Sequence, residues 1–234
     1  MIRSVKLAIL TGTSRGLGRA LAHKLLECGW TVHGLARENS DINHPRFHSH
    51  AIDITHEPSV QSTVAKIGES SQGIDLLINN AGSASMNALL LTPGSVAESL
   101  MRTNYLGAFY CLQAAGKSMV RQRKGLIINI TTVAVPLALA GEAAYVASKA
   151  ALDAFTKVAA TELLPHGIKV VGLGFGPIDT RLTRAVGQNK LTEINQRIKR
   201  PQGTTLDEAT AFILGKINDP QLASGQIYYL GQVT

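Results

Sequence analysis

The stretch "LAILTGTSRGLGRALAHKLLECG", residues 7 to 29, decides how the rest of the chain is read. It passes from a short apolar run to a helix-period run through a bend holding Gly12, Gly16 and Gly18, with Ser14, Arg15 and Leu17 between them. A strand that turns into a helix over bare backbone is a place where helix N–H groups meet an anion. Gly12 permits the tight turn, Gly16 lets backbone approach a phosphate, and Gly18 lets the helix pack closely on the strand.

Working outward, strand-like runs recur at 5–10, 31–36, 47–54, 74–79, 125–130, 168–174 and 225–230. Helix-period segments lie between them near 17–28, 57–69, 95–122, 142–164 and 206–216. Alternation of this kind predicts an α/β fold: one domain spanning residues 1–234, with a mostly parallel sheet covered by helices on both faces. Ligands of such sheets sit beyond the carboxyl ends of the strands. The longest break in the pattern, with "RLTRAVGQNKLTEINQRIKR" at 181–200, predicts a small helical lid over about 181–201.

Composition narrows the class. The chain has 234 residues, 45% of them hydrophobic, and a formal net charge of +7. No apolar run approaches the roughly 20 residues that span a bilayer, and no signal peptide is read at the N-terminus, so a cytoplasmic protein is expected. Cys28 and Cys111 are too few for a disulfide scaffold and are read as reduced packing residues in helix-like segments. The basic residues are scattered, without interleaved aromatics, so no nucleic-acid partner is expected. His44, His48, His50 and His56 cluster, but without a further ligand or a supporting shell no metal site is expected either.

The second strand-like run addresses the cofactor. An NAD enzyme places Asp or Glu near its end, to accept bonds from the ribose 2′-hydroxyl. Here "TVHGLAREN" puts Ala36 at that position and Arg37 after it. Arg37 and Arg15 suit a 2′-phosphate, so NADP(H) is preferred over NAD(H), with Glu38 as the contrary signal. In "YVASK", Tyr145 and Lys149 stand at i and i+4 on a predicted helix and share a face. An adjacent ammonium is expected to lower the phenol pKa, making Tyr145 a general acid or base.

"TGTSRGLG", Asp53 in "AIDIT", "NNAG" at 79–82, Asn104 in "MRTNYLGAF" and "YVASK" stand in an order that resembles the short-chain dehydrogenase/reductase family. The resemblance runs from Lys6 to about Leu230. It implies a single-domain Rossmann-type, doubly wound parallel sheet flanked by helices, a nicotinamide cofactor and reversible carbonyl–alcohol hydride transfer. By the same resemblance Tyr145 is the proton donor, Lys149 holds the ribose, and Asn104 holds a water. The family's serine, thirteen residues before the tyrosine, is Thr132. Asp53 and Ile54 are placed at the adenine, Asn80, Ala81 and Gly82 behind the cofactor, and Gly176, Ile178 and Thr180 near the nicotinamide. Phe175, Val171 and Leu230 depart from the family's usual proline, asparagine and aspartate.

The pocket wall is expected from Val133, Ala134, Val135, Pro136, Leu137 and Leu139, with Met86 and Leu89 opposite, favouring an apolar ketone or aldehyde. Arg181, Arg184, Lys190, Arg197, Lys199 and Arg200 give the lid a basic rim. Two alternatives stand beside a general carbonyl reductase. One is a 3-oxoacyl-[acyl-carrier-protein] reductase, for which Arg123 in "RQRKG" resembles a carrier-binding residue while His166 replaces a second arginine. The other is a non-catalytic NADPH sensor. A homodimer or homotetramer is expected through the helices near 95–122 and 142–164.

Overall fold

The computed structural model describes residues 5–71, 73–180 and 187–233. Its elements run β1 (Leu7–Thr11), α1 (Gly16–Glu27), β2 (Thr31–Ala36), β3 (Phe47–Ala51), α2 (Glu57–Ser70), β4 (Leu76–Asn79), α3 (Gly94–Met101) and α4 (Gly107–Gln122). They continue with β5 (Gly125–Thr132), α5 (Ala134–Leu137), α6 (Ala143–Leu163), β6 (Ile168–Phe175), α7 (Gln188–Arg197), α8 (Leu206–Ile217) and β7 (Ile227–Leu230). The strands form one sheet in the order β3-β2-β1-β4-β5-β6-β7. Every pairing is parallel. This is the doubly wound arrangement expected, and its strand order reverses between β1 and β4.

Strands buried on both faces explain the near-continuous apolar runs of β1, β4 and β6. One face carries α1 and α8, with Leu21, Leu25, Val32, Val171 and Ile213 in its core. The other carries α2, α4 and α6, with Ile9, Leu35, Val64, Cys111 and Val170. Val171, which stands where the family has asparagine, is fully buried in the first core. A third cluster joins Val133, Leu137 and Leu139 to Ile194 and Ile198, seating α7 against α5.

Two expectations about elements are corrected. The single helix near 95–122 is two helices, joined by a π turn over Arg102–Leu106 that contains Asn104. Cys28 follows α1 and is exposed, so only Cys111 is a packing residue; burial pushes its thiol up to about 12. The lid region contains α7, while Arg181 and Arg184 lie outside the described residues.

The histidines are also rearranged. His33 on β2 was not singled out, yet it stacks on both His48 and His50 of β3, with His33 Nδ1 2.9 Å from His50 Nε2. His44 and His56 belong to separate local bonds, to Arg46 N and Ser59 Oγ. Among the described residues no group of His, Cys, Asp or Glu is arranged to hold a metal ion. No described helix is long and apolar enough to cross a membrane.

Candidate active site

Beyond the carboxyl ends of β1, β4, β5 and β6 lies a cleft of about 1650 Å³. That exceeds the ~300–1,000 Å³ of a site for one drug-sized ligand and suits a dinucleotide with a second small molecule.

One end of the cleft is built by the glycine turn. Arg15 caps α1 in extended backbone (φ −161°) and makes no capping side-chain bond, and the first turn has no acid. Gly16 (φ +55°), Leu17 and Gly18 line the cleft, so the helix presents its N-terminus to any anion bound there. At Gly18 a Cβ would lie against the Gly12 carbonyl oxygen and within 2.5 Å of Asn80 Nδ2. The turn is therefore locked to the end of β4. Asn80 Nδ2 donates to the Thr11 carbonyl (2.8 Å), and the backbone N–H groups of Asn80 and Ala81 both donate to Thr11 Oγ1 at 2.9 Å. The loop after β6 closes over the turn, since a Cβ on Gly16 would meet Thr180 Cγ2 at 3.6 Å.

Ser14, Arg15, Arg37, Glu38, Asp53 and Ile54 line the same end. Arg15 Nη2 lies 3.9 Å from Glu38 Oε2, so the acid read as a contrary signal partners the arginine beside it. Asp53 accepts from the Thr55 N–H (2.9 Å) and hydroxyl (2.8 Å), which hold its carboxyl below the usual range together with the Arg37 charge.

The other end carries the chemistry. Thr132, at the end of β5, is buried; its Oγ1 accepts from Ala134 N at 3.1 Å and is a hydrogen-bond partner of the Tyr145 phenol. Lys149 is 5% exposed and donates from Nζ to the Ile130 carbonyl at 2.7 Å. Thr132, Tyr145 and Lys149 all line the cleft, as do Ala81, Gly82, Gly176 and Ile178. Asn104 does not. Its side chain is spent on Ser83, accepting from N and donating to O, and on Ser148 Oγ, so it pins the loop after β4 against α6.

The expected direction of the Tyr145 shift is wrong for the protein by itself. Burial pushes the phenol up to about 12, with the Thr132 hydroxyl opposing and the Glu142 carboxylate adding to the rise. Lys149 does not offset this, because burial also lowers its own pKa to about 8, against the supporting charge of Asp153. Asp153 stands one turn further along α6, buried, with its carboxyl raised by desolvation. Sequence reading missed both acids, although an acid at i+4 from Lys149 on one helix face was visible.

Two further expectations are corrected. Of the apolar wall, Met86, Val133, Ala134 and Leu139 line the cleft, joined by Ile194 of α7. Leu137 is core instead, Pro136 is exposed, and Leu89 stands outside with Leu90, which is 95% exposed. Of the basic rim expected on the lid, Lys190, Arg197 and Arg200 are engaged within the chain, while Arg181 and Arg184 lie outside the described residues. Lys190 Nζ donates to the Ala140 carbonyl and lies 3.8 Å from Glu142; Arg197 donates to the Leu137 carbonyl (3.1 Å), and Arg200 pairs with Glu208. At the opposite end of the sheet, Arg123 occupies left-handed backbone (φ 53°) and donates to the Pro165 carbonyl at 3.2 Å.

Comparison with known proteins agrees with this geometry. The family model described as short chain dehydrogenase matches residues 6–191. The 3-oxoacyl-[acyl-carrier-protein] reductase FabG of Vibrio cholerae is 30% identical over 231 residues, covering 96% of this chain and 89% of its own. FabG of Staphylococcus epidermidis is 31% identical over 203 residues, covering 82% and 83%. A short-chain dehydrogenase from Streptomyces avermitilis superposes with a TM-score of 0.83 at 25% identity, over 98% of this chain and 89% of that one. ElxO, solved with NADP bound, gives a TM-score of 0.87 at 24% identity, over 97% of each chain. The chain belongs to the short-chain dehydrogenase family and is an oxidoreductase.

Proposed function

We propose that this protein is an NADP(H)-dependent carbonyl reductase acting on a ketone or aldehyde with an apolar end. The observation that carries the reading is the convergence of Thr132, Tyr145 and Lys149 on one wall of a cleft whose far end is an uncapped helix N-terminus. Gly16, Leu17 and Gly18 would hold the pyrophosphate. Arg37 and Arg15 would hold a 2′-phosphate, and Asp53 with Ile54 the adenine edge. Lys149 would hold the nicotinamide ribose, with Ile178 and Thr180 beside the ring. When bound, the cofactor supplies the hydride.

The chain's own groups do the rest. The Thr132 hydroxyl, fixed by Ala134 N–H, orients the carbonyl oxygen. Tyr145, with its phenol at about 12, stays protonated at neutral pH and donates that proton as the oxygen becomes an alcohol. Lys149, at about 8, is the stronger acid, so it restores the tyrosine proton down a favourable gradient. Asn104 supports these groups by fixing Ser148 and the loop beside Gly82. Met86, Val133, Ala134, Leu139 and Ile194 receive the apolar end, with α7 as lid.

The FabG relatives favour a second reading, reduction of a 3-oxoacyl group on acyl carrier protein. Arg123 argues against it within one chain, because it sits at the amino-terminal end of β5, opposite the cleft, and is tied to Pro165. The intact Tyr145 and Lys149 argue against a non-catalytic sensor. A dimer or tetramer is supported by the aromatic face of Tyr105, Phe109 and Phe155 on the π turn, α4 and α6, beside exposed Val158. Two unpaired cysteines suit a reducing cytoplasm. The discriminating experiment follows NADPH oxidation with a small apolar ketone and with an acetoacetyl thioester. Turnover of the ketone supports the first reading, and turnover of the thioester alone supports the second.

A further inference from the structure

Glu142 is a carboxylate in an unusual position. It is the residue before α6 and lies three places ahead of Tyr145, yet its side chain makes no capping bond. It lines the cleft with Thr132 and Tyr145, and its side chain is only 12% exposed. Among the described residues its carboxylate has one charged neighbour, Lys190 at 3.8 Å, beyond hydrogen-bond reach, and no hydrogen-bond donor. Lys190 itself is committed to the Ala140 carbonyl, which fixes the lysine where it can neutralise but not saturate Glu142.

A carboxylate has about four acceptor sites, and a ligand that displaces water from this one must fill them or leave them unpaired at a cost. Its closeness to the reacting group is independently visible, because its charge contributes to the rise of the Tyr145 phenol. Apolar wall lies beyond it, in Met86, Val133, Ala134, Leu139 and Ile194, with Ser83 and Ser85 of the loop after β4 also on the cleft. A molecule whose carbonyl oxygen meets Thr132 and Tyr145 therefore passes the Glu142 carboxylate before it reaches this apolar surface.

We infer that Glu142 determines specificity in this cleft, selecting carbonyl substrates that carry a hydroxyl close to the carbonyl and an apolar group beyond it, and rejecting those with a carboxylate there. This rests on the carbonyl-reductase reading. It also gives the lid a function in recognition, since Lys190 of α7 sets a positive charge 3.8 Å from the acceptor. A substrate hydroxyl donates to the carboxylate and completes its shell, whereas a substrate anion meets the same charge at short range. Discrimination of this kind is strong because the analogue lacking the donor leaves a buried acceptor unpaired.

The test measures kcat/KM with NADPH for 2-hydroxy-1-phenylethanone and its 2-methoxy analogue, which keeps the electronic effect of the oxygen but has no donor. Wild type, Glu142→Gln and Glu142→Leu are compared, with NADPH binding followed separately by fluorescence. The hydroxy/methoxy ratio is expected to fall roughly ten- to hundredfold in Glu142→Leu. In Glu142→Gln, which keeps a neutral acceptor, it falls by less. An equal ratio in all three proteins, with both ketones reduced, overturns the role of Glu142 and leaves the reductase reading standing. Reduction of neither ketone by any of the three, despite NADPH binding, overturns both.

Discussion

Replacing His33 by Phe tests how the β2–β3 edge is held. His33 is 7% exposed, stacks on His48 with centroids 4.7 Å apart, and meets His50 Nε2 at 2.9 Å. Desolvation, then the His48 and His50 charges, lowers its pKa from 6.5 to about 4. The folded state thus binds a proton less readily than the unfolded chain. Stability from this group is present above pH 6.5 and is lost as pH falls towards 4. The full shift corresponds to about 3 kcal/mol at 1.36 kcal/mol per unit. Between pH 7 and pH 5 it amounts to about 2 kcal/mol, reduced towards about 1 because solvent still reaches the cluster at the exposed His48. Urea unfolding at pH 7 and pH 5 measures it. His33→Phe keeps a ring of similar shape without the titration, so its stability is expected to fall less over the same interval. Glu142 and Asp153, whose carboxyls are raised, act in the opposite direction and are common to both proteins. An identical loss in wild type and His33→Phe would refute the argument.

Gly18→Ala is expected to cost roughly 3 kcal/mol in urea unfolding, since the new Cβ meets the Gly12 carbonyl and the Asn80 amide and neither can yield cheaply. Arg37→Ala should weaken NADPH binding roughly ten- to hundredfold while leaving NADH nearly unchanged, measured by fluorescence titration. For ketone reduction, rates should decline above pH 8 as Lys149 loses its charge. In Asp153→Asn that limb should move about one unit lower, because the buried carboxylate no longer favours the ammonium. Movement of the limb upward would contradict that assignment.

The fold was legible because parallel strands buried on both faces write continuous apolar runs, and each helix writes its own period. The glycine turn was legible for a related reason: Gly16 and Gly18 are needed by backbone geometry that neighbouring residues enforce. What the sequence did not disclose is set by packing between residues distant along the chain. His33 meets its partners only through the β2–β3 register, which pairs it with His48. Lys190 reaches Glu142 from a helix some fifty residues away, and Arg197 and Arg200 likewise turn inward to partners that spacing does not reveal. The sign of the Tyr145 shift failed because i,i+4 spacing shows an ammonium nearby but not the desolvation that outweighs it. The π turn around Asn104 was invisible for another reason: an inserted residue keeps the apolar stripe nearly continuous.

The most direct test of the account compares NADPH binding and ketone reduction in wild type and Tyr145→Phe. The account predicts that NADPH binds both proteins alike, and that reduction of an apolar ketone is seen in wild type and lost in the variant. Reduction at an undiminished rate in Tyr145→Phe would contradict it.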